Sequence, residues 1–180
     1  MTPQWWKWKQ LAQNMHEAGI FNEKRIHPKR LYERFRHGFA GIVLDSSNTI
    51  IGFAALWQTG ISDVLELGSF FVLPGWRGRG IGREVFGQCV RILEDNKARA
   101  VAFTESAELI RLASRFGWSV DSTGQHTAIR LFLAQGACFE EARQKRQHTR
   151  HSDTTMLCSW NRGEACAPEQ KTYYIYLGSC

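Results

Sequence analysis

The stretch Phe70–Gly82, FFVLPGWRGRGIG, decides how the rest of the chain is read. A short apolar run meets a Pro-Gly turn, and arginines then alternate with glycines into a helical pattern. Glycines at 78, 80 and 82 let the backbone curl tightly and approach a ligand, because no Cβ obstructs it. Successive N–H groups then point inward where a helix begins, and the helix dipole adds to them. Arg77, Arg79 and Arg83 contribute side-chain charge. Such a loop is an anion site, most naturally for a diphosphate. Two other phosphate patterns do not fit. No Gly-Lys-Ser/Thr is present, so this is not a nucleotide triphosphatase loop. No downstream strand ends in an acidic ribose anchor where a dinucleotide fold would need one.

Upstream of the loop the pattern is β. Phe39–Leu44 and Ile50–Trp57 are apolar runs joined by Asp45-Ser46-Ser47-Asn48, which predicts an antiparallel hairpin. A third strand, Val64–Val72, follows a turn at Gly60–Asp63. Downstream, Gly82, Val85, Phe86, Cys89, Val90 and Leu93 recur at helical spacing, predicting an amphipathic helix that ends near Asn96. Ala98–Phe103 reads as a short strand and Ser106–Phe116 as a helix stopped by Gly117. Trp118–Val120 starts another strand.

Two helices precede these elements. Residues 5–18 place Trp5, Trp8, Leu11, Ala12 and Met15 at helical spacing, with the indoles expected to cap a core edge. The segment after Pro28 puts Leu31, Tyr32 and Phe35 on one face and Lys29, Arg30, Arg34 and Arg36 on an outer, solvated face. Beyond Asp121 the pattern loosens. Ala128–Ala134 is ambiguous, Glu140–Asp153 is polar and basic, and Met156–Trp160 and Lys171–Leu177 read as closing strands. Cys138, His148, His151, Cys158 and Cys166 lack the spacing of a zinc site, so no metal is expected. The basic run Arg143–Arg150 lacks the interleaved aromatics of single-strand binders.

With 180 residues the chain is expected to form one domain over 1–180, with 121–180 as an elaboration that completes the sheet. A 43% hydrophobic and 22% charged composition argues against general disorder. The net charge of +6 favours anionic partners such as a phosphorylated ligand. No apolar run approaches the ~20 residues of a membrane helix, and the Trp-rich start is no secretory signal. Five scattered cysteines suit free thiols in a reducing cytoplasm.

Read with its flanks, the loop resembles the GNAT superfamily of N-acetyltransferases. The family's pyrophosphate motif, Arg/Gln-x-x-Gly-x-Gly/Ala, is matched by Arg77, Gly80 and Gly82. Val72-Leu73-Pro74 before it, the helix after it, the strand Ala98–Phe103 and the closing Phe116-Gly117-Trp118 follow the family's order. The resemblance covers about Phe39 to Val120.

It implies an α+β or mixed α/β fold: a twisted, largely antiparallel mixed sheet whose central parallel strands splay apart, flanked by helices. It further implies acetyl-CoA as acetyl donor, transferred directly to a primary amine in a ternary complex. The cofactor would lie along Phe70, Phe71 and Val72. Its pyrophosphate would be held by Arg77, Gly78, Arg79, Gly80, Ile81, Gly82 and Arg83, and its pantetheine would meet Ser106. The N–H of Val72 would polarise the thioester carbonyl. Glu66 lies eleven residues ahead of Arg77, where members that use a strand glutamate as general base carry it. It sits alone in an apolar run, where partial burial suits that task. The tyrosine that many relatives use as general acid is replaced by Ala113, which leaves Tyr174 or Tyr176, or water, as the proton donor. A non-catalytic acyl-CoA-binding module of the same fold is the alternative. Nucleic acid and membrane are not expected partners, and homodimerisation is left open.

Overall fold

A computed structural model of the chain describes residues 2–19, 25–59, 63–104, 106–121 and 155–158. They divide into two compact units interleaved along the chain. Of the described residues, one unit gathers those up to Leu56 and Gly68–Ile92; the other gathers Trp57–Leu67 and those from Leu93 onward.

The first unit opens with helix α1, Trp5–Glu17, and helix α2, Pro28–Arg36. The helical spacing of Trp8, Leu11, Ala12 and Met15 puts all four in the core. Trp8 is fully buried, with ring centroids 5.6 Å from Tyr32, 5.3 Å from Phe35 and 6.0 Å from Phe53. The expectation that all the indoles cap the core is corrected here. Trp5 and Trp6 are 47% and 53% exposed, and Trp5 meets the Tyr32 ring edge-on at 6.2 Å. Lys7 is buried and donates to the carbonyl of Ser47.

The basic face of α2 is likewise only partly solvated. Lys29, Arg30 and Arg36 are exposed. Arg34 turns inward, donates to the Leu56 carbonyl at 3.3 Å and lies over the Phe39 ring. Desolvation, with the charges of Arg25 and Arg30, lowers its pKa, partly offset by Glu33. Glycine ends the helix as expected: Gly38 has φ +75°, and Phe39 N–H reaches back to Arg34 O at 2.8 Å.

Strands β1, Ala40–Leu44, and β2, Ile50–Gln58, form the antiparallel hairpin. Its turn is built on Asp45, whose Oδ1 accepts from the N–H groups of Ser47 and Thr49, both at 2.8 Å. Strand β3, Val64–Val72, carries the chain to a short 3₁₀ turn at Pro74–Trp76 and then to helix α3, Ile81–Asp95. Helix α3 packs closely on the hairpin at two glycines. A methyl at Gly41 would lie 2.6 Å from the Val85 carbonyl oxygen, and one at Gly52 would lie 2.6 Å from Ile81 Cγ2. The Gln88 amide also bridges the backbone of β1, accepting from Ile42 N–H at 2.8 Å and donating to Ile42 O at 3.0 Å.

In the second unit β3 pairs in parallel with β4, Arg99–Thr104. A parallel pair needs a long crossover, which α3 supplies. The ladder joins Val64–Leu67 to Arg99–Ala102. Asp63 anchors it by accepting from Arg99 N–H at 2.8 Å and by pairing with the Arg99 guanidinium. Strand β6, Thr155–Cys158, lies antiparallel to both β4 and β5, Ser119–Asp121. Helix α4, Ala107–Arg115, buries Leu109 and Ala113. This is the expected mixed α+β architecture. The segments expected at 128–134, 140–153 and 171–177 lie outside the described residues.

Candidate functional site

The end of β3 and the start of α3 frame the Arg-Gly loop. Phe71 points its side chain into the core, while the Phe70 ring meets Phe86 edge-on at 6.3 Å. Leu73 N–H donates to Ile51 O at 2.9 Å, so the chain is still fastened to β2 one residue past the strand. It then leaves in the 3₁₀ turn, where Pro74 presets φ and Trp76 N–H bonds Leu73 O at 2.8 Å.

Gly78 and Gly80 have φ of +74° and +83°, the left-handed region that side chains resist. A methyl at either position would meet nothing within 4 Å. Glycine is therefore required here by conformation and leaves the face of the loop uncovered, whereas at 41 and 52 it is required for packing. Gly82 differs from the expectation of three curling glycines, because it lies in the first turn of α3 and is not among the positive-φ residues. The Gly80 carbonyl accepts from Glu84 N–H at 3.1 Å, which starts the helix. The first-turn N–H groups at Ile81, Gly82 and Arg83 have no carbonyl within the helix to bond. Such unbonded N–H groups at the positive end of a helix dipole are donors of the kind that bind anions. Arg77, Arg79 and Arg83 are all exposed. Arg77 Nε donates to Val72 O at 3.3 Å, and the Arg79 guanidinium lies over the Trp76 ring at 5.2 Å.

Glu66 stands in the paired half of β3, opposite Val101. It is 1% exposed, with Val64, Leu65 and Leu67 also buried. Its burial is thus nearly complete, where the sequence suggested partial burial. Ser106 acts as the N-cap of α4. Its Oγ accepts from Leu109 N–H at 3.2 Å and donates to Glu108 Oε2 at 2.9 Å. Ala113 is buried in the packed face of α4.

Sequence reasoning missed a feature of β3. Ser69 has φ +53° inside the strand, just past the last residue that pairs with β4. The available signal was Gly68, since a glycine interrupting a strand pattern marks a bulge or bend. Among the described residues no group of three or more His, Cys, Asp or Glu could hold a metal ion. Cys138, His148, His151, Cys166, Tyr174, Tyr176 and the run 143–150 lie outside the described residues; Cys158 contributes backbone to β6. No helix among the described residues is long and apolar enough to cross a membrane.

Comparison with known proteins adds to this geometry. The family model described as acetyltransferase (GNAT) family matches residues 5–118. The fold is similar to that of Rv2747 from Mycobacterium tuberculosis, solved in complex with CoA, with a TM-score of 0.66 at 16% identity over 88% of this chain and 96% of that one. It is similar to N-acetylglutamate synthase from Neisseria gonorrhoeae, complexed with coenzyme A and N-acetyl-glutamate, with a TM-score of 0.60 at 16% identity over 86% of this chain and 32% of that one. A ribosomal-protein-alanine N-acetyltransferase from Brucella melitensis gives a TM-score of 0.54 at 21% identity over 71% of this chain and 90% of that one. A search of curated proteins found no significant match.

Proposed function

Because this chain belongs to the acetyltransferase (GNAT) family, we propose that it moves an acetyl group from acetyl-CoA to a primary amine by direct transfer in a ternary complex. The observation that carries this reading is the loop, where left-handed Gly78 and Gly80 lead into the first turn of α3. The Arg77 N–H is taken by the Pro74 carbonyl at 3.2 Å, so the backbone N–H groups from Gly78 to Gly82 would hold the pyrophosphate, with Arg79 and Arg83 adding charge. The backbone of Phe70 and Val72 aligns the pantetheine arm as an added strand would. Acetyl-CoA supplies an activated thioester whose sulfur leaves as a thiolate.

The chain's own groups then manage charge and protons. The N–H of Val72 donates to the thioester oxygen as negative charge builds there. Glu66, directly or through a water, takes the proton that the attacking amine must lose. The nitrogen forms the amide bond as the carbon–sulfur bond breaks. Buried Ala113 offers no proton to the thiolate, which leaves water, Tyr174 or Tyr176 as the donor. The exposed cations Lys29, Arg30 and Arg36 favour a neutral or anionic acceptor, such as an amino acid or an acidic peptide. The whole chain is taken as one acetyltransferase domain in a reducing cytoplasm, a setting that suits the free thiol of Cys89.

The test is thiol release from acetyl-CoA with amines that include glutamate, an alanine-ended peptide, an acidic peptide and a lysine peptide. Turnover with one or more is expected. Glu66→Gln should lower kcat by about 10²- to 10⁴-fold and remove the acidic limb of the pH profile. Unchanged turnover and an unchanged profile would take the base role away from Glu66. Ala113 also favours a second reading, a non-catalytic acyl-CoA-binding module. That reading is selected if calorimetry shows acetyl-CoA binding but no amine releases thiol.

A further inference from the structure

The three arginines around the loop are not equivalent. Arg77 commits its Nε to the Val72 carbonyl at 3.3 Å, which fastens the loop to the end of β3. Arg79 has glycines on both sides and lies across the indole of Trp76, 5.2 Å from the ring centroid. A guanidinium held over an aromatic ring by cation–π attraction still has N–H donors to offer a bidentate contact. A phosphate is the natural partner for such a fork.

Trp76 is well placed to act as a support. It closes the 3₁₀ turn that begins at Pro74, and its N–H bonds Leu73 O at 2.8 Å. Leu73 is itself bonded to Ile51 of β2 at 2.9 Å. The indole therefore stands on a base tied to the sheet. An exposed arginine without such a support loses much rotamer freedom on binding; one held over a ring has lost part of it beforehand. The uncovered faces of Gly78 and Gly80 leave room beside Arg79 for an anion.

Resting on the acetyl-CoA reading above, we propose that Trp76 is a positioning residue that aims Arg79 at a phosphate of the cofactor. That phosphate belongs to the pyrophosphate or to the 3′-phosphate of CoA, and the arginine chemistry is the same for both.

Calorimetry on the full chain tests this with CoA and with dephospho-CoA. Arg79→Ala should weaken CoA binding roughly tenfold or more, as expected for a lost charged hydrogen bond. Trp76→Leu should weaken it by about two- to fivefold, the range of an exposed cation–π contact. Trp76→Phe should recover most of that loss. The double variant should bind no more weakly than Arg79→Ala alone, because the indole acts through the arginine. If the Arg79→Ala penalty vanishes with dephospho-CoA, the partner is the 3′-phosphate; if it persists, the partner is the pyrophosphate. Both results support the proposal. It is overturned if the two losses multiply, or if Arg79→Ala binds CoA like the unaltered chain. Should Trp76→Leu fail to fold, Trp76→Phe and Trp76→Tyr with Arg79→Ala complete the same cycle. Failure of the unaltered chain to bind CoA would be a different result, and would sink the cofactor reading itself.

Discussion

Glycine does two unrelated jobs in this chain, and only one of them is written in the local sequence. At Gly78 and Gly80 the backbone needs a left-handed φ, and the Arg-Gly alternation announces it. At Gly41 and Gly52 the need comes from α3, which arrives across the hairpin from more than twenty-five positions further along the chain. Nothing around those glycines in the sequence signals that approach. Gly52→Ala is expected to destabilise the protein by about 1–3 kcal/mol, because its methyl would overlap the branched side chains of Ile81 and Val85. Urea unfolding measures this, and an unchanged midpoint would show that α3 can move aside. Arg34 teaches the same lesson. Its spacing put it with the outer cations, yet a carbonyl on β2 and the Phe39 ring draw it inward. The burial of Glu66 is of this kind too, since at 1% exposed it goes beyond what its own apolar run announced.

The elements themselves were largely legible, because hydrophobic period, Pro and Gly all agree along most of the chain. Strand β3 was read over its full observed range, and α1 to α4 within a residue or two at their ends. The bend at Ser69 escaped because a positive φ at a serine is set by the strand's surroundings, with only Gly68 as a local clue. Helix ends show how the local rules work. Gly19, Gly38 and Gly117 follow α1, α2 and α4 in the left-handed conformation. After α3 the same position is held by Lys97, with φ +50°. The bonding there is the same, since Ala98 N–H reaches Leu93 O at 2.9 Å and Lys97 N–H reaches Glu94 O at 3.1 Å. Lysine bears a Cβ penalty that glycine does not. Lys97→Gly should therefore stabilise the protein by about 1 kcal/mol. A fall in melting temperature would mean that the lysine side chain contributes more than its backbone conformation costs.

At the scale of the whole molecule, the net charge of +6 favours anionic partners without naming the acceptor, because charge is long-ranged and unspecific while recognition depends on placed groups. It also left the cysteines undifferentiated. Cys89 proves to be a core residue of α3, and burial pushes its thiol up to about 12. In the unfolded chain that thiol ionises near 8.5. Between those values the unfolded state sheds a proton that the native state keeps, so stability falls as pH rises, by at most about 1.4 kcal/mol per unit from this group. Cys89→Ala should flatten that alkaline slope while lowering stability at neutral pH, as urea titrations at several pH values would show. An identical slope would mean that Cys89 gains solvent contact in the native state.

The clamp of Gln88 on Ile42 also bears on how copies of this protein meet. Among the described residues β1 lies at the border of its sheet, where open amides and carbonyls would invite a foreign strand to add on. One glutamine occupies both groups of the central residue, so lateral growth of the sheet through β1 is blocked from within the same chain. Gln88→Leu should lift that block and shift the protein toward assemblies enriched in cross-strand contacts, visible as light scattering on mild warming. If the variant stays as clear as the parent chain, other features of that border keep it closed.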